Sequence, residues 1–147
     1  MFLIAMSLFD HCATCKSCCH VDVGAPPLEV HLTSTERRFM QPICIKRRCK
    51  NLAAAGCTLG NSKPFGCDLY PLAYDPASKQ FFLDSECPLA KRYADQLSAP
   101  DSDASRHLSR MAATIHGLER TDFEYLESNF AFDQDYFSLT PLNRTPD

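Results

Sequence analysis

The chain has 147 residues, 45% of them apolar and 22% charged, with ten Phe, five Tyr and no Trp. This balance excludes a disordered or collagen-like polymer and allows one modest core. The net charge of −3 argues against electrostatic binding of nucleic acid by the surface as a whole.

Met1 to Phe9 is apolar, but no Lys or Arg precedes it. It therefore lacks the basic n-region of a secretory signal, and nine residues are too few to cross a bilayer. We expect a buried strand or short helix there, in a cytoplasmic chain that does not enter a membrane. Thr33-Ser34-Thr35-Glu36 matches a capping box and predicts a short helix ending before Pro42. Leu69 to Tyr74 and Gln80 to Leu83 read as two strands around the turn Asp75-Pro76-Ala77-Ser78. Pro88 suits the first turn of a helix to about Leu97, with Leu89, Tyr93 and Leu97 on one face. Leu108, Met111, Ala112 and Ile115 mark an amphipathic helix, with Gly117 as its expected stop. Thr121-Asp122-Phe123-Glu124 predicts a second capping box and a helix through about Phe130. The aromatic residues Phe130, Phe132, Tyr136 and Phe137 are expected to pack back on the domain.

Cysteine is the compositional outlier, at nine residues. All lie between Cys12 and Cys87, which leaves a sixty-residue tail without one. An odd thiol count in a chain without a signal segment fits metal–thiolate bonding better than a disulfide framework. Cys12-Ala13-Thr14-Cys15-Lys16-Ser17-Cys18-Cys19 is a C-x2-C-x2-C-C run. Zinc sites usually gather separated pairs of ligands. Three thiolates from one loop with a remote Cys-Pro, here Cys87-Pro88, is the pattern of ferredoxin-type cluster loops. Adjacent Cys18 and Cys19 point to opposite sides of an extended segment, so one metal seldom takes both. With Cys49, Cys57, Cys67 and Cys87 there are eight spaced thiols, enough for two four-thiolate sites. One division is Cys12, Cys15, Cys18 and Cys87 against Cys19, Cys49, Cys57 and Cys67; a single site using some of the eight is the other arrangement. Cys44, between Ile43 and Ile45, is expected to be a buried, inert thiol.

These residues, with Leu32-Thr33-x-x-Glu36, Cys49-Lys50-Asn51-Leu52, Gly56-Cys57-Thr58-Leu59, Lys63-Pro64-Phe65-Gly66-Cys67-Asp68-Leu69-Tyr70-Pro71 and Glu86-Cys87-Pro88, resemble the zinc- or iron-chelating CxxCxxCC domain family, the YkgJ-like cysteine-cluster proteins. The likeness runs over residues 10–90. The family segments usually read C-x-I-Y-x-x-R-P-x-x-C-R-x-Y-P. Here Gly60 replaces the Tyr, and Lys63 and Asp68 replace the two Arg. Lys is no bidentate fork, so these departures weaken any anion-binding role of the arginines. The resemblance implies metal chelation. Related motifs occur in flagellin lysine methylases associated with an iron–sulfur cluster.

Four thiolates around a [4Fe–4S]²⁺ core or around Zn²⁺ leave a charge of −2, which calls for nearby positive groups. Lys46, Arg47, Arg48 and Lys50 flank Cys49, and Lys16 lies within the first loop. They serve either charge compensation or the docking of an acidic protein partner, or they form an ordinary solvated turn. The positive end of the helix after Pro88 would face Cys87. His11 and His20 bracket the first motif; His31, His107 and His116 are expected to be structural. No nucleotide-binding loop, HExxH or nucleophile elbow is present in the sequence. Cys–His nucleophilic catalysis stays open but gains nothing from the spacing.

The sequence thus predicts a small, irregular α+β cysteine-rich metal-binding domain over residues 1–99, with a helical extension over 100–147 packed on it. The leading reading is an iron–sulfur protein, [4Fe–4S] first, in electron transfer, sensing or an accessory role to an enzyme. A zinc-binding structural or metal-handling module is the alternative, and a metal-dependent enzyme or enzyme subunit the third.

Overall fold

A computed structural model describes Val21, residues 24–53, Gly56, Cys57, Leu59 and residues 63–142; the side chains of residues 52, 53, 56 and 57 are left aside. The expectations for Met1–Phe9, for Cys12, Cys15, Cys18 and Cys19, and for His11, Lys16 and His20 lie outside the described residues.

Strands β1 (Leu28–Val30) and β2 (Ile43–Ile45) form an antiparallel pair in which Glu29 faces Cys44. Between them Thr33 and Glu36 make a reciprocal capping box. The Thr33 N–H donates to Glu36 Oε1 at 3.0 Å, and the Glu36 N–H donates to Thr33 Oγ1 at 3.1 Å. The helix it opens is a single 3-10 turn, Glu36–Arg38, well short of Pro42. Glu36 also reaches forward: its Oε2 accepts from the Phe65 N–H at 2.8 Å, satisfying one of the unpaired donors that begin α1 (Phe65–Leu69). Strands β3 (Leu52–Ala53) and β4 (Gly56–Cys57) make a second small antiparallel pair.

The predicted hairpin is present as β5 (Leu72–Asp75) and β6 (Gln80–Asp84), with Tyr74 opposite Phe81. The expected start at Leu69 is corrected by three residues, because Leu69 ends α1 and a cis peptide joins Tyr70 to Pro71. Asp75 holds the turn, accepting from the Ala77 N–H at 2.9 Å and the Ser78 hydroxyl at 2.8 Å. Helix α2 (Ala90–Gln96) buries Tyr93 and, just past its end, Leu97. Ser102 caps α3 (Asp103–Thr121) by accepting from the Ser105 N–H at 3.2 Å.

Helix α3 runs through Gly117 rather than stopping there. The stripe of Leu108, Met111 and Ile115 buries one face of the helix, and the partly buried Leu118 extends it beyond the glycine. The second capping box, unlike the first, does not form. Asp122, between α3 and α4 (Phe123–Tyr136), turns its carboxylate to Ser34, accepting from its N–H at 2.6 Å and its hydroxyl at 2.9 Å. Thr121 instead donates to the Gly117 carbonyl at 3.0 Å. The tail ends in a strand, β7 (Leu139–Pro141), antiparallel to β6, which completes a three-stranded sheet in the order β5-β6-β7. Helices and small antiparallel sheets together make this an α+β fold.

Two apolar clusters result. The larger draws Phe65, Leu69, Leu72, Phe81, Leu83, Cys87 and Tyr93 together with Leu108, Met111, Ile115, Leu126 and Leu142. The described residues after position 100, from Ala104 to Leu142, thus share a core with the preceding sheet. The smaller joins Val21, Leu28, Val30, Ile43, Ile45 and Cys49, with Cys67, Phe132, Tyr136 and Phe137 against it. The aromatic tail does pack back: Phe130 lies 5.5 Å from Phe82, and Phe137 lies 5.2 Å from Tyr70, between ring centroids. None of the described helices is long and apolar enough to cross a membrane.

A thiol-lined cavity as candidate functional site

Cys49 follows β2 and is buried; Cys67 lies in α1 and is half-buried. Eighteen positions apart in sequence, they line the same cavity of about 60 Å³. Its walls are mostly apolar, with Leu28, Val30, Ile43, Ile45 and Leu72 among them. Two polar groups beside the thiols were not singled out as site residues by the sequence. Lys63 enters with its side chain only 7% exposed, 3.6 Å from Asp68 Oδ1. Asp68 also holds Arg110 at 3.3 Å. The two residues that replace the family's arginines, Lys63 and Asp68, therefore pair with each other, and the acid balances the lysine locally.

Asp133 of α4 is the second. It keeps some solvent contact, yet burial first, and then the negative charge of Asp84, push its carboxyl up to about 8. Asn129 donates to Asp133 Oδ2 at 3.4 Å, one helical turn back. Asp84 is itself buried and held by the Tyr70 hydroxyl at 2.5 Å and the Glu86 N–H at 3.1 Å. Tyr70 lines the cavity. Tyr70 and Asp84 thus connect it to the turn that carries Cys87.

Cys87 is buried in the larger cluster, apart from the one that holds Cys49. Its N–H donates to the Asp84 carbonyl at 3.2 Å and its carbonyl accepts from Ala90 at 2.9 Å. Cys57 pairs with Leu52 across β3 and β4. Cys44 corrects the expectation of burial: it is exposed. In a strand, neighbours alternate, so the burial of Ile43 and Ile45 sends Cys44 to the other face. Lys46, Arg47, Arg48 and Lys50 are all exposed around the buried Cys49.

His107 is fully buried, and its two ring nitrogens meet Tyr93 Oη at 2.8 Å and the Asp68 carbonyl at 2.7 Å. A carbonyl only accepts, so Nε2 carries the proton and Nδ1 receives the tyrosine hydroxyl. His31 contacts the Phe132 ring at 5.2 Å.

The donor set suits a thiophilic metal in part. Cys49 and Cys67 supply two soft ligands, but among the described residues no group of three or more His, Cys, Asp or Glu could hold a metal ion. Two ligands make half of a four-coordinate site. Compared with family models, with curated proteins and with solved structures, the chain matches none. The likeness to the CxxCxxCC family finds no support there and rests on the residues themselves.

Proposed function

We propose that this chain is a metal-binding protein of the CxxCxxCC type carrying a thiolate-ligated iron–sulfur cluster, [4Fe–4S] first, in an electron-transfer, sensing or accessory role. One observation carries the reading: two cysteines from separate elements, Cys49 and Cys67, line a single apolar-walled cavity. Cys19 and Cys57 would complete their ligand set, and Cys12, Cys15, Cys18 and Cys87 would form the other. When bound, such a cluster supplies one-electron chemistry. The chain's own part is to exclude water with Ile43, Ile45 and Leu72, and to set positive charge near the thiolates. Lys46, Arg47, Arg48 and Lys50 form an exposed basic rim beside Cys49, which suits an acidic protein partner.

The test is anaerobic purification followed by a visible spectrum and by iron, sulfide and zinc per chain. Iron and sulfide in stoichiometric amounts, with charge-transfer absorption lost in both Cys49→Ser and Cys67→Ser, is the expected result. A colourless protein with stoichiometric zinc and no sulfide overturns the iron–sulfur reading in favour of a zinc module. Stoichiometric iron and sulfide unchanged in both variants removes these two cysteines from the ligand set.

A further inference from the structure

Lys63 lines the cavity together with Cys49 and Cys67, and its side chain is only 7% exposed. An ammonium taken out of water is costly unless negative charge stands close to it. Asp68 Oδ1, 3.6 Å away, supplies some, but the same oxygen also holds Arg110 at 3.3 Å. One carboxylate between two cations leaves the group of three with one positive charge. Arg110 has 43% of its side chain in water, which screens its charge far better than that of Lys63. Two other acids line the cavity, Glu29 and Asp133. Glu29 is 63% exposed and stands beside His31, whereas the Asp133 carboxyl is acted on by burial and by Asp84. The positive charge at Lys63 therefore stays in the cavity wall.

Charge counting says what such a wall suits. Two thiolates on a divalent metal, or on a [4Fe–4S]²⁺ core, make a neutral centre, which gains little from a nearby ammonium. Three or four thiolates make an anionic one, which gains from it. We propose that Lys63 is the counter-charge of an anionic metal–thiolate centre, built from Cys49, Cys67 and at least one further thiolate. This rests on the metal reading above and adds to it a residue and the sign of the centre's charge. An ammonium has no lone pair, so Lys63 acts through its field and ligates nothing. Asp68 acts in the opposite sense, because its carboxylate moderates the lysine and opposes a second negative charge nearby. The pair thus sets how strongly the cavity favours the thiolate-bound state.

The experiment titrates the reduced, metal-free full chain with Co²⁺ in the absence of oxygen, against a competing chelator, at one pH and ionic strength. The sulfur-to-cobalt charge-transfer band reports thiolate ligation whichever metal the chain carries in the cell. Lys63→Met should weaken Co²⁺ binding about ten-fold or more, and Lys63→Arg should restore most of it. Asp68→Asn should tighten binding several-fold. A purely structural role for the pair would weaken binding in both Lys63→Met and Asp68→Asn, so opposite signs separate charge from packing. Unchanged binding in Lys63→Met, or weaker binding in Asp68→Asn, overturns the proposal and leaves the metal reading in place. No charge-transfer band in the parent chain overturns both. If Lys63→Met fails to fold, Asp68→Asn decides alone: tighter binding supports the proposal, and equal or weaker binding overturns it.

Discussion

Around Tyr93 the apolar residues close up: Tyr93 and Ala104 have no exposure, and the one histidine at the centre, His107, has both ring nitrogens bonded. Around Cys49, residues of the same kind leave a cavity, and burial pushes the carboxyl of Asp133, which lines it, up to about 8. The first region is filled at its centre. The second keeps open space beside two thiols and a carboxyl whose charged form its burial disfavours. The contrast sets a packed core against an open one within one small fold, and the open one, with its perturbed carboxyl, is where a functional site is sought first.

The sharpest way to break the comparison is to truncate matched residues in both regions. Met111→Ala in the closed core should cost about 3–4 kcal/mol in urea unfolding, since nothing there can relax into the gap. Ile45→Ala, at the cavity wall, should cost about 2 kcal/mol, because its side chain already borders open space. Equal losses would mean that the cavity is as tightly packed as the core.

Next in size is the effect of pH. Asp133 titrates near 3.8 when unfolded and about 8 when folded, so the folded state binds the extra proton between those values. Stability from this group is complete below about pH 4 and falls as pH rises toward 8. Asp133→Asn should remove that slope and leave the protein about 2 kcal/mol more stable than the parent at pH 8, read from unfolding midpoints across the range. An unchanged slope would show that Asp133 is solvated in the folded state.

Glu36→Ala removes bonds to both Thr33 and Phe65 and should cost about 1–2 kcal/mol. The Cys67 signals should move by NMR while those of Met111 stay still. Smallest of all, Cys44→Ser should change stability by less than about 0.5 kcal/mol, as fits an exposed strand position. Cys44 should also react with a thiol reagent ahead of the buried Cys49 and Cys87.

What the sequence revealed was local. The Thr33–Glu36 box, the Asp75 turn and the Leu89–Tyr93–Leu97 face all depend on residues within a few positions of one another, and each is present. Cys44 was misread, because its apolar neighbours suggested burial, whereas in a strand the burial of Ile43 and Ile45 puts the residue between them on the opposite face. The Thr121–Glu124 box failed because α3 runs on through Thr121, whose hydroxyl donates to the Gly117 carbonyl, while Asp122 is held by Ser34, 88 positions away. The cavity was half legible. Spacing and the family likeness drew attention to Cys49 and Cys67, but Asn129 and Asp133 sit in a helix that reads as an aromatic cover. Only the tertiary fold brings them beside Gly66.

That long bond between Asp122 and Ser34 has a mechanical consequence. Ser34 adjoins Thr33, Thr33 is locked to Glu36, and Glu36 grips the first residue of α1. The joint between the two long helices is therefore linked, by three consecutive polar attachments, to the helix carrying Gly66 and Cys67. A tilt of α4 against α3 would pull on the cavity wall as a lever pulls a latch.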